Sequence, residues 1–211
     1  NYNYDGKTDQ LQYPIKIYAD AEASQYIDGA AYHSYGGSPV ELDAIHKLAP
    51  EKNLYFTEQS IGTWNYQSFG QSLMSEMKNT CIGTVTRWCK AVIVWNFMLD
   101  ENGGPHGGPG ACATCYGAVD ISSKDYTTLN KRSHYYVIGH LSKALKAGST
   151  RIATSGYMPT GLSAVASENP DGTFGLVLFN ENAEGLTFII EHNGKHFEIK
   201  LPAESITSCI L

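Results

Sequence analysis

The sequence predicts an α/β domain followed by an all-β domain, and three observations carry that assignment. From Ile15 to Leu145, short apolar runs alternate with helical periodicity, the pattern of parallel βαβ units. Three of the predicted strands, starting at Ala30, Leu54 and Ala91, end in polar, glycine-containing loops. After Gly148 the helical periodicity stops and a series of short β runs follows. These runs are punctuated by two hairpin turn signals, Asn169-Pro170-Asp171-Gly172-Thr173 and His192-Asn193-Gly194-Lys195. The boundary falls between Lys146 and Ser149, giving domains 1–147 and 148–211.

In chain order, residues 1–14 are polar and tyrosine-rich, with Asp5-Gly6 as a turn signal, and read as a loop. Ile15-Lys16-Ile17-Tyr18 alternates like a short strand, and Ala19 to Tyr26 holds helix formers with an acidic first turn. Ala30 to Tyr35 is the next strand. Val40, Leu42, Ala44, Ile45 and Leu48 form one helical face. Leu54 to Thr57 is a short buried strand of apolar, aromatic and β-branched residues. Trp64 to Gly70 is a polar aromatic loop. Gln71 to Lys90 carries Leu73, Met77, Cys81, Val85 and Trp88 at helical spacings. Ala91 to Asn96 is continuously apolar up to its last residue, as expected of a parallel strand buried on both faces. Asp100 to Gly110 is a glycine-rich loop, and Ser133 to Leu145 a further helix. The β runs cover 150–154, 162–167, 173–180, 186–191, 196–201 and 206–211.

Composition narrows the function classes. The 211 residues carry a formal net charge of −6 and no basic run, which argues against a nucleic-acid partner. No apolar run approaches the length of a membrane span. Few charges (17%) with 14 tyrosines suit a protein that handles a neutral polar ligand, and equally a secreted protein with a large sheet. The chain starts at Asn1 without a signal peptide and reads as a mature chain or a fragment. An odd cysteine count of 5 leaves at least one thiol free or paired elsewhere.

The chemistry-bearing stretch is Asn53-Leu54-Tyr55-Phe56-Thr57-Glu58-Gln59-Ser60. Its strand runs directly into a carboxylate. Burying that charge unpaired would cost roughly several kcal/mol. In a β/α barrel this end of a strand opens onto the active site; elsewhere it is a strand-terminal Glu pointing to water. A complete barrel takes roughly 250 residues, whereas the β/α run here ends at Leu145. The chain is therefore either a smaller α/β domain or a barrel without its first half.

Three stretches in order resolve these alternatives by resemblance: Tyr26-Ile27-Asp28-Gly29-Ala30-Ala31-Tyr32-His33-Ser34-Tyr35-Gly36-Gly37, then Tyr55-Phe56-Thr57-Glu58-Gln59, then Val94-Trp95-Asn96 with Asp100-Glu101-Asn102-Gly103-Gly104-Pro105. They resemble the C-terminal half of a glycoside hydrolase family 30 enzyme, the family of glucosylceramidases and β-1,6-glucanases. Cys112-Ala113-Thr114-Cys115-Tyr116-Gly117 most resembles the β-1,6-glucanase branch. The resemblance implies the C-terminal half of a (β/α)8 TIM barrel followed by a β-sandwich. It also implies a retaining β-glycoside hydrolase with no cofactor and no metal, acting on a β-glucoside or β-glucan.

Retaining glycosidases need two carboxyl groups about 5–5.5 Å apart. By resemblance Glu58 is the nucleophile. The family's acid/base lies in an Asn-Glu-Pro motif that this sequence lacks; Glu168-Asn169-Pro170 has the wrong order and Asn180-Glu181-Asn182 is a turn. The expected partner is the N-terminal half of the same barrel, and this chain alone is expected to be inactive. His33 and Tyr35 are expected beside Glu58 in the sugar subsite, with Tyr35 donating a hydrogen bond to it. Trp95 is expected to stack on a sugar face, Asn96 to bond a sugar hydroxyl and Trp64 to form an outer platform.

Asp100 and Glu101 read as solvated loop acids. Cys112 and Cys115 admit a metal or redox pair, but no second cysteine pair or His cluster stands nearby, so a local disulfide in a secreted, periplasmic or cell-surface enzyme is expected. Cys81 and Cys89 sit on one predicted helix, too far apart to bridge, and read as buried thiols. The rival reading, from a different class, is a non-catalytic carbohydrate-binding or scaffold fragment. A pure binder has no need of Glu58.

Overall fold

The computed structural model describes residues 2, 9–66 and 68–211; the Asp5-Gly6 turn signal lies outside them. The chain forms two compact units, Asn1–Tyr136 and Val137–Leu211.

In the first unit the order is α1 (Asp9–Ala19), α2 (Ala21–Ser24), β1 (Gly29–His33), α3 (Glu41–Leu48), β2 (Asn53–Glu58), β3 (Ile61–Gly62), α4 (Phe69–Glu76), a π-helical turn (Met77–Ile82), α5 (Gly83–Val85) and β4 (Cys89–Val92). Then come β5 (Met98–Asp100), β6 (Cys115–Tyr116), β7 (Val119–Ile121), β8 (Leu129–Lys131) and the start of α6 (Ser133–Ala144). β1, β2 and β4 form a parallel sheet in that order. One face of it buries Ala30 and Tyr32 of β1 and Leu54 and Phe56 of β2 against Leu42 and Ile45 of α3. Tyr2 completes this core, stacked at 5.8 Å on Tyr32 and 6.5 Å on Phe56.

Several expected elements differ. Ile15 to Tyr18 belongs to α1 rather than to a strand, and α1 begins inside the expected N-terminal loop. Pro14, Ile15 and Tyr18 share a helical face, and Ile15 packs on the sheet core. The helix expected over 19–26 is one turn, capped by Asp20, whose carboxylate accepts from the Glu22 and Ala23 amides. The long helix expected over 71–90 stops at Val85, because Trp88 takes a left-handed φ of 66° and Cys89 and Lys90 enter β4. Within it, the π turn buries Met77, Thr80, Cys81 and Ile82, a wider set than one α-helical stripe reaches. β4 ends at Val92 and is not buried on both faces: Ile93 and Trp95 lie beyond it, exposed.

Glu101 is exposed, as expected of a solvated loop acid, whereas Asp100 closes β5 rather than lying in the loop. Asp100 accepts from the amides of Asn102 and Gly104, each at 2.8 Å, and Glu101 accepts from the amide and hydroxyl of Ser123, each at 2.7 Å.

The second unit contains the rest of α6, then β9 (Thr150–Ile152), β10 (Leu162–Glu168), β11 (Phe174–Asn180), β12 (Leu186–His192), β13 (Lys195–Leu201) and β14 (Ser205–Ile210). An antiparallel sheet of order β14-β11-β10-β9 faces the β12-β13 hairpin across Leu162, Leu176, Leu178, Leu201 and Phe188. β11 is buried on both sides because α6 covers its other face: His140 Nδ1 lies 2.7 Å from the Ser208 hydroxyl, and the Ala144 carbonyl meets Gly175. The hairpin turns fall where the sequence places them. Asn193 and Gly194 both have positive φ, 50° and 72°, as a two-residue turn between twisted strands requires.

Candidate active site

β1 and β2 pair in parallel from Gly29 opposite Asn53, with a register shift between Tyr32 and His33. Without that shift His33 would face Thr57; with it His33 faces Glu58. Both side chains therefore project from the same face at the carboxyl ends of adjacent strands. The Tyr35 hydroxyl donates to Glu58 Oε1 at 2.9 Å. It also lies 2.7 Å from the Ser60 hydroxyl, which supplies the donor there because the phenol's single proton goes to Glu58. His33 Nδ1 stands 3.9 Å from Glu58 Oε1, and its ring meets that of Tyr35 edge-on at 6.0 Å.

Partial burial, and then the Glu58 charge, push the Tyr35 phenol up from its ordinary value, against the Ser60 hydrogen bond that lowers it. The phenol therefore stays protonated at neutral pH and remains a donor. Glu58 is neither sealed nor free, with its side chain 32% exposed. A carboxylate so held is oriented by its hydrogen bond and still accessible to a reacting centre.

The far side of the site is tied in through the backbone. The Trp95 amide donates to the Gln59 carbonyl at 2.9 Å, and Trp95 bridges Ser60 in parallel. Trp95 is 46% exposed and lies beyond the end of β4. Asn96 keeps a buried side-chain oxygen with no hydrogen bond among the described residues, while its backbone carbonyl accepts from Ala118. Trp64 folds back so that its ring lies over Gly62, leaving 54% of the residue exposed; a Cβ on Gly62 would sit 2.0 Å from that ring. No direct contact joins Trp64 to Glu58 among the described residues.

β3 pairs antiparallel with β6, setting Gly62 opposite Cys115, and the Thr63 amide donates to the Thr114 carbonyl. Cys112 and Cys115 are joined by a disulfide, so the covalent loop borders the loop that follows Glu58. Behind β6, Arg132 grips Asp120 through two contacts of 2.8 and 2.7 Å and lies 3.8 Å over the Tyr116 ring. Cys81, Cys89 and Cys209 are free thiols; Cys81 and Cys89 are buried, and burial pushes Cys89 up to about 12. Cys89 sits in a strand rather than on the helix of Cys81. Among the described residues no group of three or more His, Cys, Asp or Glu is arranged to hold a metal ion.

Sequence reasoning missed Ser60. Ser60 was within reach of it, since it lies two residues past Glu58 as Tyr35 lies two past His33.

The family model for the glycosyl hydrolase family 30 TIM-barrel domain matches residues 5–145, and that for the family 30 β-sandwich domain matches residues 148–209. This chain belongs to glycoside hydrolase family 30. Its first unit is part of a TIM barrel and its second a β-sandwich. Among family 30 relatives, it is 29% identical over 220 residues to the endo-1,6-β-D-glucanase BGN16.3 of Trichoderma harzianum, covering 99% of this chain and 41% of that protein. It is 27% identical over 190 residues to the lysosomal acid glucosylceramidase of Mus musculus, covering 82% of this chain and 35% of that protein. The solved structure of the endo-β1,6-glucanase BT3312 superimposes with a TM-score of 0.93 at 51% identity, covering 99% of this chain and 46% of that one. The chain thus spans less than half the length of these family 30 proteins.

Proposed function

We propose that this chain is the nucleophile-bearing part of a retaining β-glycosidase that cleaves β-1,6-glucan. The observation that carries the reading is the Tyr35 hydroxyl at 2.9 Å from Glu58 Oε1, with His33 beside it, at the carboxyl ends of parallel strands. An oriented, half-exposed carboxylate has the attributes of a nucleophile for an anomeric carbon.

In this mechanism Glu58 Oε attacks the anomeric carbon as the glycosidic C–O bond breaks, giving a covalent glycosyl-enzyme. A second carboxyl group protonates the leaving oxygen, then removes a proton from the water that releases the sugar with retained configuration. That acid/base comes from the part of the relatives' length that this chain does not span. Tyr35 and Ser60 hold Glu58 against rotation. His33 and Asn96 bond sugar hydroxyls, Trp95 stacks on the sugar at the cleavage point, and Trp64 carries a more distant unit. The 51% identity to an endo-β1,6-glucanase, against 27% to a glucosylceramidase, favours a glucan over a glycolipid. The Cys112–Cys115 disulfide favours an oxidising compartment, hence export. The family matches meet between residues 145 and 148, which supports a domain boundary near 147.

The test is Glu58→Gln in the full-length protein, assayed on linear β-1,6-glucan. Loss of activity by at least about a thousandfold with glucan binding retained is the expected result. Unchanged turnover removes Glu58 from the chemistry. Glycan binding with no turnover in either protein favours a binding module.

A further inference from the structure

Glu58 and Tyr35 are held from the pocket side, but a second set of contacts ties the same two strand ends together from behind. Ser34 lies between His33 and Tyr35, and Gln59 between Glu58 and Ser60. Alternation turns both away from the site. There the Ser34 hydroxyl donates to Gln59 Oε1 at 2.9 Å. The same oxygen accepts from the hydroxyl of Thr80, fully buried in the π turn between α4 and α5. A single amide oxygen thus joins the end of β1, the end of β2 and the helical layer behind them.

We propose that Thr80 is a positioning residue for the nucleophile, acting through Gln59. Each of its neighbours along the helix already has another use. Glu76 accepts from Ser133 at 2.9 Å, and the Thr84 hydroxyl bonds back to the Thr80 carbonyl at 2.6 Å. Among the described residues of this helical segment, Thr80 alone donates its hydroxyl to the strand end. The π turn lets it do so, because the wider turn keeps Thr80, Cys81 and Ile82 all facing inward. Without the Thr80 hydroxyl, Gln59 Oε1 keeps only the Ser34 hydroxyl as donor among the described residues, and Glu58, one peptide away, gains rotational freedom relative to Tyr35. Misplacement of a reacting group by about 1 Å costs up to a hundredfold in rate.

The inference rests on Glu58 being the nucleophile, so the experiment carries its own reference. In the full-length enzyme, kcat and KM on linear β-1,6-glucan are compared for wild type, Glu58→Gln, Thr80→Val, Thr80→Ser and Thr84→Val. Thr80→Val keeps shape and removes the hydroxyl. It is expected to lower kcat about tenfold with KM within about twofold, while Thr80→Ser recovers most of the rate. Thr84→Val, equally buried but bonded only to its own helix, is expected to keep kcat. Ser34→Ala, in a half-buried position, is expected to lower kcat in the same direction and decides the matter if Thr80→Val does not fold.

Full kcat in both Thr80→Val and Ser34→Ala overturns the proposal, as does equal loss in Thr80→Val and Thr84→Val. Undiminished turnover in Glu58→Gln overturns the underlying assignment and this proposal with it. Loss there with full kcat in Thr80→Val overturns the positioning role alone.

Discussion

The Tyr35 hydroxyl has two hydrogen-bond partners, and one of them is the carboxylate on which the proposed chemistry depends. A hydrogen bond to a charged group contributes about 1.5–3 kcal/mol. Tyr35→Phe is therefore predicted to lower kcat/KM on β-1,6-glucan about ten- to a hundredfold, with the melting temperature nearly unchanged because the residue lies half exposed beyond β1. Wild-type kcat/KM in the Phe variant would make the contact incidental. At this scale the sequence was informative where chemistry follows a motif. The positions of Glu58, His33 and Tyr35 are legible in the three family stretches, and Tyr35 reaches Glu58 as its place two residues past His33 suggests. Thr80 was not legible. Its partner is a side-chain oxygen 21 residues away, and no local periodicity records which hydroxyl on a buried helix face meets which amide.

At the scale of elements, α4 and the first residues of α6 meet through a buried polar pair. Ser133 donates to Glu76 Oε1, and His134 Nε2 stands 3.5 Å from Glu76 Oε2. Burial pushes Glu76 up from 4.5 to about 8, the Ser133 bond opposing it, and pushes His134 down from 6.5 to about 4. At neutral pH both groups are uncharged in the fold. Between pH 4.5 and 6.5 unfolding moves one proton from Glu76 to His134, so this pair leaves stability flat. From pH 6.5 to about 8 the unfolded chain holds fewer protons than the fold, and stability falls as pH rises. Below pH 4.5 it holds more, and stability falls toward pH 4. Denaturant midpoints measured at several pH values are predicted to show the alkaline decline in the wild type and a weaker one in Glu76→Gln.

A steric prediction belongs to β11 and α6. A Cβ on Gly175 would lie 1.7 Å from the Ala144 carbonyl oxygen, which is backbone and cannot turn aside. Gly175→Ala is predicted to cost about 3 kcal/mol or more, read as a melting-temperature drop of about 6–12 °C. A drop within 2 °C, roughly the span of 1 kcal/mol or less, would contradict it. Periodicity located β11 and α6, because each buries a continuous stripe. It misread Ile15 to Tyr18, where four residues satisfy a period of two and a helical face equally well, and it overran Val85, where only a left-handed Trp88 marks the end.

At the scale of the molecule, β1 has a strand partner on one side only among the described residues, and Ala31, on the face opposite the core, is exposed. The family 30 proteins it matches are more than twice its length. The chain expressed alone is predicted to show no turnover of β-1,6-glucan, and co-expression with the segment carrying the remaining strands is predicted to restore it. Turnover by the chain alone would require a proton donor within it. The fold class was legible because each unit repeats one pattern, strand-helix and then strand-turn-strand. Tyr2 in the core was not, since one tyrosine in a polar stretch carries no periodic signal.

The most direct measurement is to trap the covalent intermediate. The full-length enzyme would be treated with an activated 2-deoxy-2-fluoro-β-glucoside, which forms the glycosyl-enzyme readily and releases it slowly, then digested and mapped by mass spectrometry. The account predicts a single labelled peptide, with the sugar on Glu58 and no label in Glu58→Gln. A label on another carboxylate, or an active enzyme that never accumulates an adduct, would contradict it.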